Sequence, residues 1–130
     1  MKQLTNKEFG ALGEKLAAEY LKKQGYKILK KNYKNKLGEI DIIARDGGEI
    51  VFVEVKTRSA DPCVGGAYAV DRRKQFHILR TASVYLSSTG TMLQPRFDII
   101  EAELDRASGS VVRIGHYKNA FAQTEDYARF

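Results

Sequence analysis

Gly38-Glu39-Ile40-Asp41-Ile42-Ile43-Ala44-Arg45-Asp46-Gly47-Gly48-Glu49-Ile50-Val51-Phe52-Val53-Glu54-Val55-Lys56-Thr57-Arg58 is the stretch that decides how this chain folds. Gly47-Gly48 parts two runs rich in β-branched residues, and a glycine pair suits the positive φ that a tight hairpin turn requires. A turn centred there sets Ile40 opposite Val55, Ile42 opposite Val53 and Ala44 opposite Val51, one wholly apolar face. The other face then carries Glu39–Lys56, Asp41–Glu54 and Ile43–Phe52. Slipping the pairing by one residue would mix charge into the apolar face, so the pattern itself selects the register.

Working outward, residues 5–24 read as a helix. Thr5 and Glu8 have capping-box spacing, Gly25 stands ready to end it, and Phe9, Leu12, Leu16 and Tyr20 recur at helical period as its buried stripe. Residues 26–33, 39–45 and 50–58 read as strands. A loop through Gly65-Gly66 leads to a second helix at about 71–87 with Asp71 as N-cap, and strands near 96–104 and 111–117 follow. The order αβββαββ gives an α/β fold, a mixed central sheet flanked by helices, in a single domain over 1–130 with 118–130 an unassigned tail.

Asp41 opposite Glu54 is a like-charge pair that costs roughly a few tenths of a kcal/mol. Packing gives no reason to keep it. A divalent cation between the carboxylates removes the repulsion, and hard oxygen donors suit Mg²⁺ or Mn²⁺. Lys56 lies two residues beyond Glu54, on the same face of the strand. Two carboxylates holding a metal beside a lysine are the parts of a phosphodiester-cleaving site. In that arrangement Asp41 and Glu54 would ligate the metal, Lys56 would position the attacking water and Glu39 would orient Lys56. The competing view is a Glu39–Lys56 surface ion pair with Asp41 and Glu54 merely solvated.

The chain carries 22 Lys+Arg against 16 Asp+Glu, net +6, but residues 1–36 alone hold ten lysines against three acids. A basic first quarter suggests a surface for a polyanion, most simply nucleic acid, although a solvated lysine face explains the charge alone as well. Lys30, Lys31, Lys34, Lys36 and Arg58 flank the carboxylate face as phosphate contacts, and Arg72, Arg73 and Lys74 could add others from the second helix. Tyr26, Tyr33, Tyr68 and Tyr85 suit packing better than base stacking. His77 and His116 read as structural, and Cys63 has no partner at a catalytic spacing. No apolar run is long enough to cross a bilayer, no signal segment is apparent and one cysteine closes no disulfide, which together point to the cytoplasm and no membrane.

Asp41 followed by Glu54-Val55-Lys56 resembles the PD-(D/E)xK nuclease superfamily. More closely, Gly10, Gly13 and Glu14, Gly38–Ile43, Phe52–Arg58, Lys74 and Arg96-Phe97-Asp98 look like the YraN family of small bacterial proteins, from about residue 8 to 103. The resemblance implies a restriction-endonuclease-like αβββαβ core similar to archaeal Holliday-junction resolvases, and with it metal-dependent cleavage of branched or junction DNA. It also implies Glu14 as a further acid near the metal, directly or through water. On a helical wheel Glu14 sits at the edge of the buried stripe beside Gly10 and Ala17. Ile40 stands where the superfamily's name has proline, and 61–69 departs from the Phe-Gly-x-Pro type of loop. A homodimer is the geometry that cleavage of a branched substrate favours. The rival readings are a non-catalytic nucleic-acid-binding module of the same fold and a structural adaptor.

Overall fold

Thr5 and Glu8 start the first element by bonding each other's backbone: Glu8 N–H donates to Thr5 Oγ1 at 3.1 Å and Thr5 N–H to Glu8 Oε1 at 3.0 Å. Helix α1 runs Asn6–Lys23, with Gln24 as C-cap and Gly25 at φ +91°, a conformation glycine adopts without steric cost. The computed structural model describes residues 3–60 and 70–121. Cys63, Gly65-Gly66, Tyr68, the rest of 61–69 and the tail from 122 lie outside the described residues.

Strands β1 (Lys27–Asn35), β2 (Gly38–Asp46) and β3 (Glu49–Ser59) form an antiparallel meander. Helix α2 (Arg72–Thr89), capped by the Asp71 side chain accepting from Lys74 N–H, carries the chain over to β4 (Gln94–Leu104), parallel to β3. β5 (Val111–Phe121) returns antiparallel, so the mixed sheet has spatial order β1-β2-β3-β4-β5. The expected order αβββαββ is the observed one. Parallel neighbours need a long crossover, which α2 supplies.

β3 lies in the middle of the sheet, and residues 50–55 are buried throughout. On one face Ala17, Ala18 and Leu21 of α1 pack on Ile42, Ala44, Val51, Val53, Val55 and Ile100. On the other, Ile78, Leu79 and Ala82 of α2 pack on Ile43, Ile50, Phe52 and Phe97, with the Phe52 and Phe97 rings stacked at 5.3 Å. Each fully buried Ile or Phe here contributes about 1.5–3 kcal/mol.

Two expectations need correction. The stripe that α1 buries is Phe9, Gly13, Ala17, Ala18 and Leu21, while Leu12, Leu16 and Tyr20 are only half-buried. The helix presses its small residues to the sheet and flanks them with the large ones. The hairpin register is as expected from Asp46↔Glu49 to Ile42↔Val53. Ile40, however, joins the α2-side cluster rather than the face of Ile42 and Ala44. The reason is local: the Asp41 carboxylate, not a β2 carbonyl, accepts the Val55 N–H at 2.7 Å. β2 therefore leaves β3's ladder at Asp41 and remains paired with β1 through Tyr33↔Ile40 and Lys34↔Glu39.

Candidate active site

Asp41 occupies the fork where β2 leaves β3. Glu54 is next to the residue whose N–H Asp41 holds, and Glu14 reaches the same place from α1, hydrogen-bonded to Asp41. Gly13 makes that reach possible, because a Cβ there would fall on Thr57 Oγ1 of β3 and within 2.7 Å of its methyl. α1 thus rides directly on β3 one residue before Glu14. Three carboxyls from three elements meet at one end of the sheet.

The crowding shows in the protons. Burial first, then the carboxylates of Glu54 and Glu14, push Asp41 up to about 8; the Val55 N–H and the Lys74 ammonium offset this only in part. Burial also raises Glu14, helped by Glu39 and Glu54 and opposed by its hydrogen bond to Asp41 and by Lys31. At neutral pH, then, the hydrogen-bonded Asp41 and Glu14 carboxyls share a proton.

Glu54 is buried at 6% exposure, and Lys74 Nζ sits 2.6 Å from its Oε1. Lys74, expected as a phosphate contact, thereby brings the first turn of α2 against the carboxylates. Lys56 is exposed, two residues beyond Glu54. Glu39 is exposed as well, and it stands opposite Lys34 across the β1–β2 ladder rather than in the β2–β3 pairing expected to face it towards Lys56. Among the described residues no three His, Cys, Asp or Glu side chains are set as a ready-made metal cage.

The basic residues divide into two groups. Lys30, Lys31 and Lys34 are exposed on edge strand β1, with Lys36 exposed in the turn after it, and Lys31 is close enough to act on Glu14. Arg72 and Arg73 are exposed at the start of α2. Arg58 is tied instead to buried Glu101, at 2.9 Å, an acid that Arg113 also approaches. That pairing screens part of the charge expected to meet phosphate.

At the far end of β3 lies a second polar cluster. Arg96 binds Asp98 through two nitrogens at 2.9 Å each, and also reaches Asp46, Glu49 and Tyr26. His116 Nε2 is 2.7 Å from Asp98, its Nδ1 is 3.1 Å from Tyr20 Oη, and Asn119 N–H donates to Asp98. The cluster joins β2, β3, β4, β5 and the end of α1 around the Gly47-Gly48 turn. It accounts for Arg96-Phe97-Asp98 as a structural motif and for His116 as a structural histidine.

Comparison with known proteins agrees with the motif reading. Residues 13–102 match the uncharacterised protein family UPF0102. A UPF0102 protein of Caldanaerobacter subterraneus subsp. tengcongensis is 48% identical over 122 residues, covering 93% of this chain and all of that protein. Relatives from Alkaliphilus oremlandii (46% over 119 residues; 89% of this chain, 99% of theirs) and Clostridium botulinum (43% over 118; 89% and 95%) carry the same family name. The chain belongs to the uncharacterised family UPF0102, the YraN family that its hairpin and helix motifs resemble.

Proposed function

We propose that this protein is a metal-dependent DNA endonuclease, with branched DNA as the substrate class to test first. The observation that carries the reading is the convergence of Glu14, Asp41 and Glu54 from α1, β2 and β3, tight enough to hold the Asp41 proton up to about 8. A fold retains such a cluster against its own repulsion, and a divalent cation would replace that proton with a stronger counter-charge.

The donors suit Mg²⁺, which takes one or two carboxylates and fills its remaining positions with water and phosphate oxygens; Mn²⁺ accepts the same oxygen set. A preformed three-ligand cage is not needed for that. Asp41 and Glu54 would hold the ion, and Glu14 would reach it through water. Bound there, the ion supplies a polarised phosphoryl oxygen and a water of lowered pKa. Lys56 would orient the attacking water and offset charge growing on the phosphate. Val55 N–H keeps one Asp41 oxygen fixed, so the carboxylate is positioned before anything binds. Lys74 neutralises Glu54 and would turn to the substrate's phosphate.

A second reading, a binding module without catalysis, is favoured by one contact: the Lys74–Glu54 pair already supplies a cation to one of the two ligating carboxylates. Cleavage of linear duplex, flap and four-way-junction DNA in Mg²⁺, Mn²⁺ and chelator separates the two. The endonuclease cuts only with metal, and Asp41→Asn, Glu54→Gln and Lys56→Ala each lose about a hundred-fold or more while still binding. Salt-sensitive binding without cutting in either metal leaves the module.

A further inference from the structure

Two open grooves adjoin at one end of the molecule, and Arg106 belongs to both. The first, about 470 Å³, lies between α1 and the end of β3 and includes Glu14, Lys56 and Arg58. The second, about 520 Å³, continues past Ser59 to Asp105 and Ala107. The candidate active site therefore opens into a trough along β3. From Lys56 to Ser59 the strand advances about 10 Å. That is roughly the axial length of three nucleotides in one strand of a duplex.

Arg106 is held firmly at the junction. It sits in the turn between β4 and β5, closed by Asp105 N–H to Ser110 O and Gly109 N–H to Asp105 O. Its guanidinium lies 4.4 Å over the Phe9 ring, and Nη2 donates to Asn6 Oδ1 at 2.6 Å. Among the described residues its other guanidinium nitrogens have no partner. Nε is buried without a hydrogen-bond partner, and among the described residues Nη1 has none either, though it is not buried. A buried donor left unpaired carries its full desolvation cost. A guanidinium fixed by an aromatic face and one amide, with its Nη1 donors left over beside a groove, suits an oxyanion.

We propose that Arg106 is a phosphate clamp and that the joined grooves carry the sugar–phosphate backbone of a DNA strand running from the carboxylate cluster past Ser59. This rests on the endonuclease reading and extends it by naming the strand's path. Arg58, held by Glu101, lines the path as a weaker contact. The β1 lysines hold the duplex on the other side of the site.

The test is anisotropy binding of a fluorescent DNA duplex in chelator across a salt series, with Arg106→Gln, Ala107→Glu and the wild type. A lost phosphate contact lowers the slope of log K against log salt by about 0.9 and weakens binding about ten-fold. Ala107→Glu puts a carboxylate in the exposed second groove without removing any bond, so it decides the matter should Arg106→Gln fail to fold. Weakened binding by Ala107→Glu, with a flatter slope for a folded Arg106→Gln, supports the clamp. Wild-type affinity and slope in both variants overturn it while leaving the endonuclease reading intact. A wild-type protein that binds no DNA overturns that reading, and the clamp with it.

Discussion

Asp41 faces two carboxylates, whereas Asp98 faces Arg96, His116 and a backbone N–H, and their protons behave oppositely. Asp98 is fully buried, which alone would raise its pKa, but the bonds from His116, Arg96 and Asn119 together hold it below the ordinary value. The consequences for stability follow by linkage. Asp41 keeps its proton up to about 8 when folded and loses it near 4 when unfolded, so its contribution is full below pH 4 and falls as pH rises towards 8. Asp98 contributes above its unfolded value near 4, and that stability disappears as pH falls through its lower folded value. In chelator, thermal melts from pH 4 to 9 should therefore slope downward for the wild type and less so for Asp41→Asn, which keeps an acceptor for Val55 N–H. Asp98→Asn should destabilise the fold at neutral pH by about 3 kcal/mol or more, read as a lower melting temperature, since it strips a buried arginine of its bidentate partner. An equal slope in the Asp41→Asn protein would remove the carboxyl crowding.

At the scale of elements, the contact of α1 with β3 sets the site. Gly13→Ala must push α1 away from Thr57, costing about 1–3 kcal/mol by overpacking and moving Glu14 from Asp41. Gly13→Ala with Thr57→Ala should recover part of that loss in denaturant melts; strict additivity would mean the two residues do not touch. Strand β1 poses a different question, because lysines on an edge strand also prevent edge-to-edge pairing. Neutralising Lys30, Lys31, Lys34 and Lys36 together should flatten the salt dependence of DNA binding. Self-association with an unchanged slope would make them guards of the edge only. The sequence announced the hairpin because a glycine pair and strict alternation leave one register. It did not announce the turn of Ile40 to the other face, since a side chain taking over a ladder bond leaves no periodicity. Nor did it mark the buried stripe of α1, where Gly13, Ala17 and Ala18 approach closely because they are small, while hydrophobic period picks out the larger Leu12 and Leu16.

For the molecule as a whole, the sheet order brings the parts of the site together. α2 crosses over to set β4 beside β3 and lands its first turn, with Lys74, on Glu54. Asp41, Glu54 and Lys56 were legible because one hairpin carries all three. Arg106 was not, because only the β4–β5 turn brings it next to Phe9, nearly a hundred residues away in the chain. Among the described residues no helix is long and apolar enough to cross a membrane. The central claim is that Asp41 and Glu54 share a divalent cation, and thermal melts of wild type and Asp41→Asn in chelator and across a Mg²⁺ titration test it most directly. In chelator at neutral pH Asp41→Asn should match or exceed the wild type. Mg²⁺ should then stabilise the wild type by about 1.4 kcal/mol at ten times Kd and leave the mutant behind, so that the two curves cross. Curves that stay parallel throughout the titration would contradict the claim.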